Sequence, residues 1–207
     1  MKQINLQNLQ NHLRHKFLKM GVKMVDPGTI YFSNDIKIGK NVTIEPYVVF
    51  GAKVKIGNNV TIKSFSHLEN CKIENNVEIG PYARIRPGTI LKEGSKIGNF
   101  VEIKKSILGK KSKINHLTYI GDSVIGKSVN VGAGTITCNY DGVKKSKTRI
   151  KDNVFIGSNS SLVAPLTLEE NSIIGAGSVI TKNVSKKSLA LTRGLQTEIK
   201  NYKKKLK

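Results

Sequence analysis

The chain has 207 residues, of which 38% are hydrophobic, which suits one folded domain with short extensions. No segment approaches the ~18 consecutive apolar residues of a membrane span, and residues 1–24 lack the apolar core of a signal peptide. Cys71 and Cys138 belong to neither a C-x-x-C pair nor a zinc-ligand spacing. We therefore expect a cytoplasmic protein without a disulfide or metal framework.

The strongest global feature is charge, because 35 lysines and arginines face 14 aspartates and glutamates and give a net charge of +21. Such a protein attracts anions. Nucleic acid is one candidate anion, although the sequence lacks an RNP-like strand, a helix-turn-helix pattern and aromatic residues interleaved with basic ones. Phosphorylated small molecules are a second candidate, and a lysine-rich solvated surface without any ligand is a third interpretation.

The first predicted element is an amphipathic helix over residues 3–20, which Gly21 and then Asp26-Pro27 end. The residues of its apolar stripe are Ile4, Leu6, Leu9, Leu13, Phe17 and Leu18. We assign residues 1–27 to this helix and a linker. Its expected role is to cap the open end of the repeats that follow, since terminal repeats need a polar outer surface.

An aliphatic residue then recurs every six positions through most of residues 28–196. The members of the longest runs are Ile38, Ile44, Phe50, Ile56 and Ile62, then Ile79, Ile85, Leu91, Ile97 and Ile103, and finally Ile150, Ile156, Leu162, Leu168, Ile174 and Ile180. A second apolar residue often follows four places later, as at Val42, Val48, Val54, Val60, Val101, Val129 and Val154. Six is neither a helical nor an alternating period. It fits a short strand plus a turn, so that three hexads make one triangular coil of a parallel β-helix.

The repeat breaks between Val131 and Ile150, where Asn139, Asp141 and Gly142 are turn-forming residues. We therefore predict a loop over about residues 136–149 that protrudes from the coil. After the last repeats, residues 197–207 are rich in lysine and are expected to form a basic tail.

Four segments carry a resemblance to a known family: IGPYARIRPGTIL (79–91), HLTY (116–119), GAGTITCNYDG (132–142) and LTRGLQ (191–196). Together they resemble the acetyltransferase domain of the bacterial bifunctional enzyme that makes UDP-N-acetylglucosamine, over roughly residues 79–196. The hexads alone would be a weak signal, whereas HLTY together with GAGTITCNYDG is specific. The resemblance implies an all-β fold, a left-handed parallel β-helix, in a homotrimer with active sites between subunits.

The activity that the resemblance implies is transfer of an acetyl group from acetyl-CoA to the amine of glucosamine 1-phosphate, for cell-wall and lipopolysaccharide precursors. His116 would be the general base, since a neutral imidazole suits proton abstraction near physiological pH. Glu102 would orient or polarise that histidine. Asn139 is the third implied catalytic residue, and a main-chain amide near it would face the thioester oxyanion.

For the sugar phosphate, the resemblance implies that Arg86, Lys104 and Lys145 bind the phosphate, which arginine and lysine suit as a planar fork and a point charge. The residues that would contact the sugar or line its site are Tyr119, Asn130, Asn139 and Tyr140. For any one lysine in so basic a chain, a solvated surface position is the competing interpretation.

For coenzyme A, the resemblance places Ala133, Ser158 and Ala176 along the pantetheine arm and Arg193 near the nucleotide end. Small residues also fit the corners of a hexad coil, so simple packing is the alternative. The family often has serine before this arginine and Val-Pro after it, whereas this chain has Thr192 and Gly194-Leu195. That departure leaves the path of the last segment open.

Two rival functions stay open: an acyltransferase of the same architecture that acts on another amino sugar, and a non-catalytic scaffold. A zinc enzyme built on hexapeptide repeats would need three converging histidines. His12 and His15 fall in the predicted helix, so only His67 and His116 lie within the repeats, and we predict no metal. No glycine-rich phosphate loop precedes the repeats. We therefore expect a separate uridyltransferase as a partner that uses the product.

Overall fold

The computed structural model describes residues 6–202, which form one helix, a short 3-10 turn at Pro27–Thr29 and 26 short strands. The helix, α1, spans Leu6–Lys19 and confirms the predicted N-terminal helix. Residues 3–5 of that prediction and residues 203–207 of the predicted tail lie outside the described residues.

The strands build three parallel sheets, which are the faces of a triangular prism. Face 1 contains Lys23–Met24, Thr43–Ile44, Thr61–Ile62, Glu78–Ile79, Lys96–Asn99, Lys113–His116, Asn130–Val131, Phe155–Ile156, Ile173–Ile174 and Leu189–Ala190. Face 2 contains Val49–Phe50, His67–Leu68, Arg84–Ile85, Glu102–Lys104, Tyr119–Gly121, Ile136–Cys138, Ser161–Val163 and Val179–Ile180. Face 3 contains Lys37–Ile38, Lys55–Ile56, Cys71–Ile73, Thr89–Leu91, Ile107–Leu108, Ser123–Ile125, Thr148–Ile150 and Leu166–Leu168.

The inward-pointing apolar side chains of each hexad explain why such short strands are stable. Ile44 pairs with Ile62, and Ile62 with Ile79, so the side chains stack coil upon coil. These three residues are fully buried, as are Val42 and Val60 at the second apolar position of the hexad. Each buried aliphatic side chain contributes roughly 1.5–3 kcal/mol relative to exposure, and it is buried in full only when neighbouring coils stack above and below it.

The coil between face 2 and face 3 is interrupted once. Strand partners usually lie 17 or 18 positions apart, but Ile125 pairs with Ile150, 25 positions later. The extra residues form a small hairpin in which Tyr140 bridges to Lys145, and the N–H of Ser146 donates to the Asn139 carbonyl at 2.9 Å. Asp141 closes its turn, because its carboxylate accepts from two backbone N–H groups, and these bonds lower its pKa.

The corner between face 1 and face 2 carries a column of aromatic residues that the periodicity did not predict. Its members, here called the aromatic ridge, are Tyr47, Phe65, Tyr82 and Phe100. Neighbouring ring centroids lie 4.8–5.1 Å apart, and each ring is 46–55% exposed. All four residues have φ between 54° and 60°, a region that bulky side chains rarely adopt. Stacking compensates part of that cost, since aromatic pairs contribute about 0.5–1.5 kcal/mol beyond their buried area.

Helix α1 covers the first coil with polar side chains that imitate a strand. The side-chain amide of Gln10, which is 3% exposed, donates to the Phe32 carbonyl at 2.8 Å and accepts from the Phe32 N–H at 2.9 Å. The Arg14 guanidinium donates to the carbonyls of Gly28 and Ile30, each at 3.0 Å. These bonds satisfy backbone groups at an edge that would otherwise be open to pairing with another chain.

We expect Gln10→Leu to lower the free energy of unfolding by about 1–3 kcal/mol, because it leaves the buried N–H and carbonyl of Phe32 without partners. Urea unfolding measures this change. Asn8→Leu, on the exposed side of the same helix, is the control and should stay within about 0.5 kcal/mol of the wild type. Equal stabilities of the two variants would mean that the helix covers the coil by apolar contact alone.

Candidate active site

His116 lies at the end of its face 1 strand, beside the corner that carries the aromatic ridge. Its backbone partner in the preceding coil is Asn99, and its side chain is exposed. The ring Nδ1 lies 2.7 Å from Asn99 Oδ1, so one ring nitrogen is held by the coil below. The other ring nitrogen, Nε2, is left to act on a ligand.

The three predicted phosphate-binding cations converge around the next corner, between faces 2 and 3. Arg86 and Lys104 are one position past the paired Ile85 and Ile103, so they are neighbours in face 2. The pKa of Lys104 is lowered, chiefly because Lys145 lies beside it, with a further contribution from Arg86. Close cations of this kind stabilise a bound anion, and the anion in turn relieves their mutual repulsion.

Glu102, predicted to orient His116, has a different contact in the structure. Its Oε1 accepts from Arg86 Nη1 at 2.6 Å in a charge-assisted hydrogen bond. Both side chains are about one third exposed, at 34% each, so the pair is accessible to a ligand. The contact places Glu102 in the cation cluster, and its effect on His116 stays a prediction.

Tyr119 and Asn139 converge over Gly121, one coil above the cations. A Cβ atom on Gly121 would lie 2.5 Å from the Tyr119 hydroxyl oxygen and 2.8 Å from Asn139 Nδ2, so a larger residue here would displace these two side chains. Asn139 is 7% exposed, and its Nδ2 donates to Asp122 Oδ2 at 2.5 Å. The hydroxyl and the amide thus form a polar surface suited to a sugar.

Two predicted sugar-binding residues are not joined to this pair by the contacts that the structure gives them. Asn130 lies in face 1 between Lys113 and Phe155. The Tyr140 hydroxyl donates to the Gly142 carbonyl at 2.5 Å within the hairpin. Their roles in binding sugar stay predictions.

The residues predicted to bind coenzyme A form one column along the edge of face 1. Ile114, Val131 and Ile156 are paired in successive coils. The residues two positions after them, His116, Ala133 and Ser158, therefore form a column as well. Ala176 follows in the next coil, where its carbonyl accepts from Arg193 Nη1 at 3.2 Å. The small side chains leave the main chain accessible, so an extended molecule lying there would reach from His116 to Arg193.

Sequence reasoning missed Asn99 and Asp122. Both contact predicted site residues 17 positions later, Asn99 with His116 and Asp122 with Asn139. A separation of 17 positions is one coil. Polar residues one coil before each predicted site residue could therefore have been identified from the sequence as its neighbours.

Three further observations concern residues 6–202. Burial raises the pKa of the Cys71 thiol to about 12, which keeps it protonated and unreactive. No cluster of three or more histidine, cysteine, aspartate or glutamate side chains in this range is placed to hold a metal ion. The helix in this range is too short and too polar to cross a membrane.

Comparison with known proteins matches the chain to transferases with hexapeptide repeats. Residues 67–165 match the GMPPB C-terminal domain family, and residues 35–70 match the bacterial transferase hexapeptide family. The bifunctional protein GlmU of Paramagnetospirillum magneticum is 51% identical over 194 residues, which are 94% of this chain and 43% of that protein. The GlmU of Zymomonas mobilis is 54% identical over 187 residues, or 90% of this chain and 42% of that protein.

The chain belongs to the GlmU family. It spans less than half the length of these GlmU proteins, and the resemblance found in its motifs is confirmed. The structure of UDP-N-acetylglucosamine O-acyltransferase from Moraxella catarrhalis is similar with a TM-score of 0.50 at 16% identity, covering 78% of this chain and 68% of that one. This similarity concerns the fold alone, and the predicted left-handed parallel β-helix is confirmed.

We expect Gly121→Ala to weaken binding of the sugar phosphate by about tenfold, because the added methyl group displaces the Tyr119 hydroxyl and the Asn139 amide. Isothermal titration calorimetry measures the affinity, and circular dichroism checks the fold. Gly28→Ala is the control, since its Cβ would come no closer than 3.4 Å to another side chain. Unchanged affinity in a folded Gly121→Ala variant would exclude Tyr119 and Asn139 from the sugar site.

Proposed function

We propose that this chain is an acetyl-CoA-dependent glucosamine-1-phosphate N-acetyltransferase. The observation that carries the proposal is an arrangement over two adjoining corners of the coil: a histidine held at Nδ1 with a column of small residues at the corner between faces 1 and 2, and a cluster of three cations at the corner between faces 2 and 3. Membership of the GlmU family supports the proposal, because the chain is 51–54% identical to GlmU proteins over at least 90% of its length. The aligned part is about two fifths of those bifunctional proteins.

In this proposal the phosphate binds among Arg86, Lys104 and Lys145. The anion stabilises the protonated form of Lys104, whose pKa Lys145 lowers in the free protein. Glu102 keeps Arg86 in place through their 2.6 Å contact. The planar fork of Arg86 can bind a phosphate oxygen with its other N–H groups without losing this partner.

The sugar ring lies over Gly121 and contacts Tyr119 and Asn139, with Asn130 and Tyr140 as further contacts expected from the family resemblance. Asp122 accepts one hydrogen bond from Asn139 Nδ2 and thereby fixes how the amide faces the ligand. A fixed amide distinguishes the hydroxyl groups of a sugar more sharply than a freely rotating one, since less conformational freedom is lost on binding.

His116 acts as the general base. Its Nε2 accepts a proton from the amine at C2 of the sugar while the nitrogen lone pair attacks the thioester carbonyl carbon of acetyl-CoA. A C–N bond forms, the C–S bond breaks, and the coenzyme A thiolate leaves and takes the proton from His116. The products are N-acetylglucosamine 1-phosphate and coenzyme A. General base catalysis of this kind contributes typically 10²–10⁴-fold to the rate.

Acetyl-CoA lies along the column of Ala133, Ser158 and Ala176 in this proposal, with its nucleotide end toward Arg193. The exposed Ser158 and Ala176 give it access to backbone groups in successive coils. The product retains its phosphate, so a nucleotidyltransferase would be the class of enzyme that uses it next, en route to UDP-N-acetylglucosamine.

We expect acetyl-CoA and glucosamine 1-phosphate to release free thiol in the presence of the protein, and His116→Ala to lower kcat by about 10²–10⁴-fold. A thiol reagent measures the rate. The control is His67→Ala, because His67 is also an exposed histidine but lies in face 2, away from His116. If only a different amino sugar is turned over, the protein is an acyltransferase of the same architecture that acts on that sugar. If the folded protein turns over no acceptor, it is a non-catalytic scaffold.

We also propose a homotrimer with the aromatic ridge in the contact between copies. The ridge is continuous with Leu117, which is 61% exposed, has a φ of 49° and directly follows His116. A second copy seated on this apolar edge would therefore lie beside the base. Its exposed rings are typical of interface cores, which are enriched in aromatic residues.

Light scattering at micromolar concentration should give a mass of three 22.8 kDa chains for the wild type. Phe65→Glu combined with Tyr82→Glu should give a monomer, because two carboxylates cannot be desolvated in an apolar contact. Val124→Glu, at an exposed position in face 3, which lies opposite the corner that carries the ridge, is the control and should remain trimeric. A trimeric double variant would place the contact elsewhere.

A further inference from the structure

Asn99 and His116 occupy the same position in consecutive coils of face 1. They are backbone partners, and the N–H of Leu117 donates to the Asn99 carbonyl at 3.0 Å. The two strands lie so close that a Cβ atom on Gly98 would come 1.8 Å from the carbonyl oxygen of Asn115. The separation between the asparagine and the histidine is therefore set by the backbone of the coil.

The contact between the two side chains determines which ring nitrogen of His116 is free. Asn99 Oδ1 lies 2.7 Å from His116 Nδ1, and an amide oxygen only accepts hydrogen bonds. Nδ1 therefore carries the proton, and in the neutral ring Nε2 is the unprotonated nitrogen that can accept one. A general base needs this tautomer.

Asn99, rather than Glu102, has the contact that selects the tautomer. The Glu102 carboxylate is engaged with Arg86 at 2.6 Å. An amide differs from a carboxylate in one respect that matters for a base: it orients the ring without adding a negative charge that would favour the protonated imidazole.

We propose that Asn99 is a positioning residue for the acetyltransferase reaction, which acts by holding His116 in the Nδ1–H tautomer. This inference rests on the proposed function for its kinetic consequence, but its structural content concerns His116 alone.

The charged groups that face the pair come from earlier coils of face 1. A shallow cavity beside Asn99 and His116 is lined by Lys63, Glu78 and Lys96. Glu78 forms ion pairs with both lysines, and these contacts lower its pKa, Lys63 being the largest cause. These three groups are unchanged in variants of Asn99, so a change in pH dependence would come from position 99 itself.

The first test reads the tautomer directly. Long-range ¹H–¹⁵N spectra of the ¹⁵N-histidine-labelled protein distinguish Nδ1–H from Nε2–H, and the His116 signals are those that vanish in His116→Ala. The wild type should show the Nδ1–H form and Asn99→Leu a mixture with Nε2–H. A wild-type ring in the Nε2–H form would overturn the proposal. Because no substrate is present, this result stands even if the proposed activity is not found.

The second test separates positioning from mere structural support. Asn99→Leu should lower kcat by about tenfold, the equivalent of one lost hydrogen bond, with little change in KM for glucosamine 1-phosphate. Asn99→Asp keeps the acceptor and should approach wild-type kcat at high pH, with the acidic limb of its pH–rate profile moved to higher pH, because a carboxylate stabilises the protonated ring.

Asn34→Leu is the control, since Asn34 is an exposed residue near the opposite end of the coil. It should match the wild type in kcat, KM and pH profile. An Asn99→Asp profile that coincides with the wild type, or an Asn99→Leu variant with wild-type kcat, would show that Asn99 does not act through His116.

Discussion

Burial of the inward-pointing apolar side chains of each hexad determines the register between successive coils, and the contacts of the site depend on that register. Ile97 pairs with Ile114, and Ile103 pairs with Ile120. A slip of one residue would turn these side chains outward, at a cost of roughly 1.5–3 kcal/mol for each of many coils. The core therefore holds outward-facing residues that are one coil apart in fixed neighbouring positions. Asn99 meets His116 for this reason.

The site differs from the rest of the surface in its balance of charge. Elsewhere, acidic side chains are shared among lysines, and Glu74 for example pairs with both Lys72 and Lys92. Beside Lys104, Lys145 and to a smaller extent Arg86 add like charge, which outweighs the opposite effect of Asp122 and lowers the pKa of Lys104. The net charge of +21 points to anions in general, whereas this local excess of cations is where we propose that a phosphate binds.

The hairpin at the break in the repeats brings side chains together that a regular coil would keep apart. Outward positions on a flat face look away from the prism, so a ligand there is contacted from one side only. The hairpin brings Lys145 back beside Lys104 and presents Asn139 to Asp122. Asn139 is nearly fully buried, so the hairpin is anchored at its base, although Val143 at its turn is 91% exposed.

The sequence by itself determined the coil, since a period of six with buried aliphatics at Ile44, Ile62 and Ile79 has few other solutions. It also determined the family, and it singled out His116, because HLTY and GAGTITCNYDG are specific to that family. The capping helix could be predicted from its apolar stripe. Its use of Gln10 and Arg14 to pair with backbone groups was not, since nothing local to those residues shows which edge they face.

Only the tertiary structure decided the partner of each site residue. The sequence alone does not show which residue Glu102 contacts, and in the structure its carboxylate accepts from Arg86, a neighbour in its own face. Asp122 meets Asn139, and four aromatic residues line one corner. These partners lie 17 or 18 residues apart, so predicting their contacts requires the length of every intervening corner. A hexad pattern specifies which side chains point inward. The lengths and backbone angles of the corners specify which outward side chains meet.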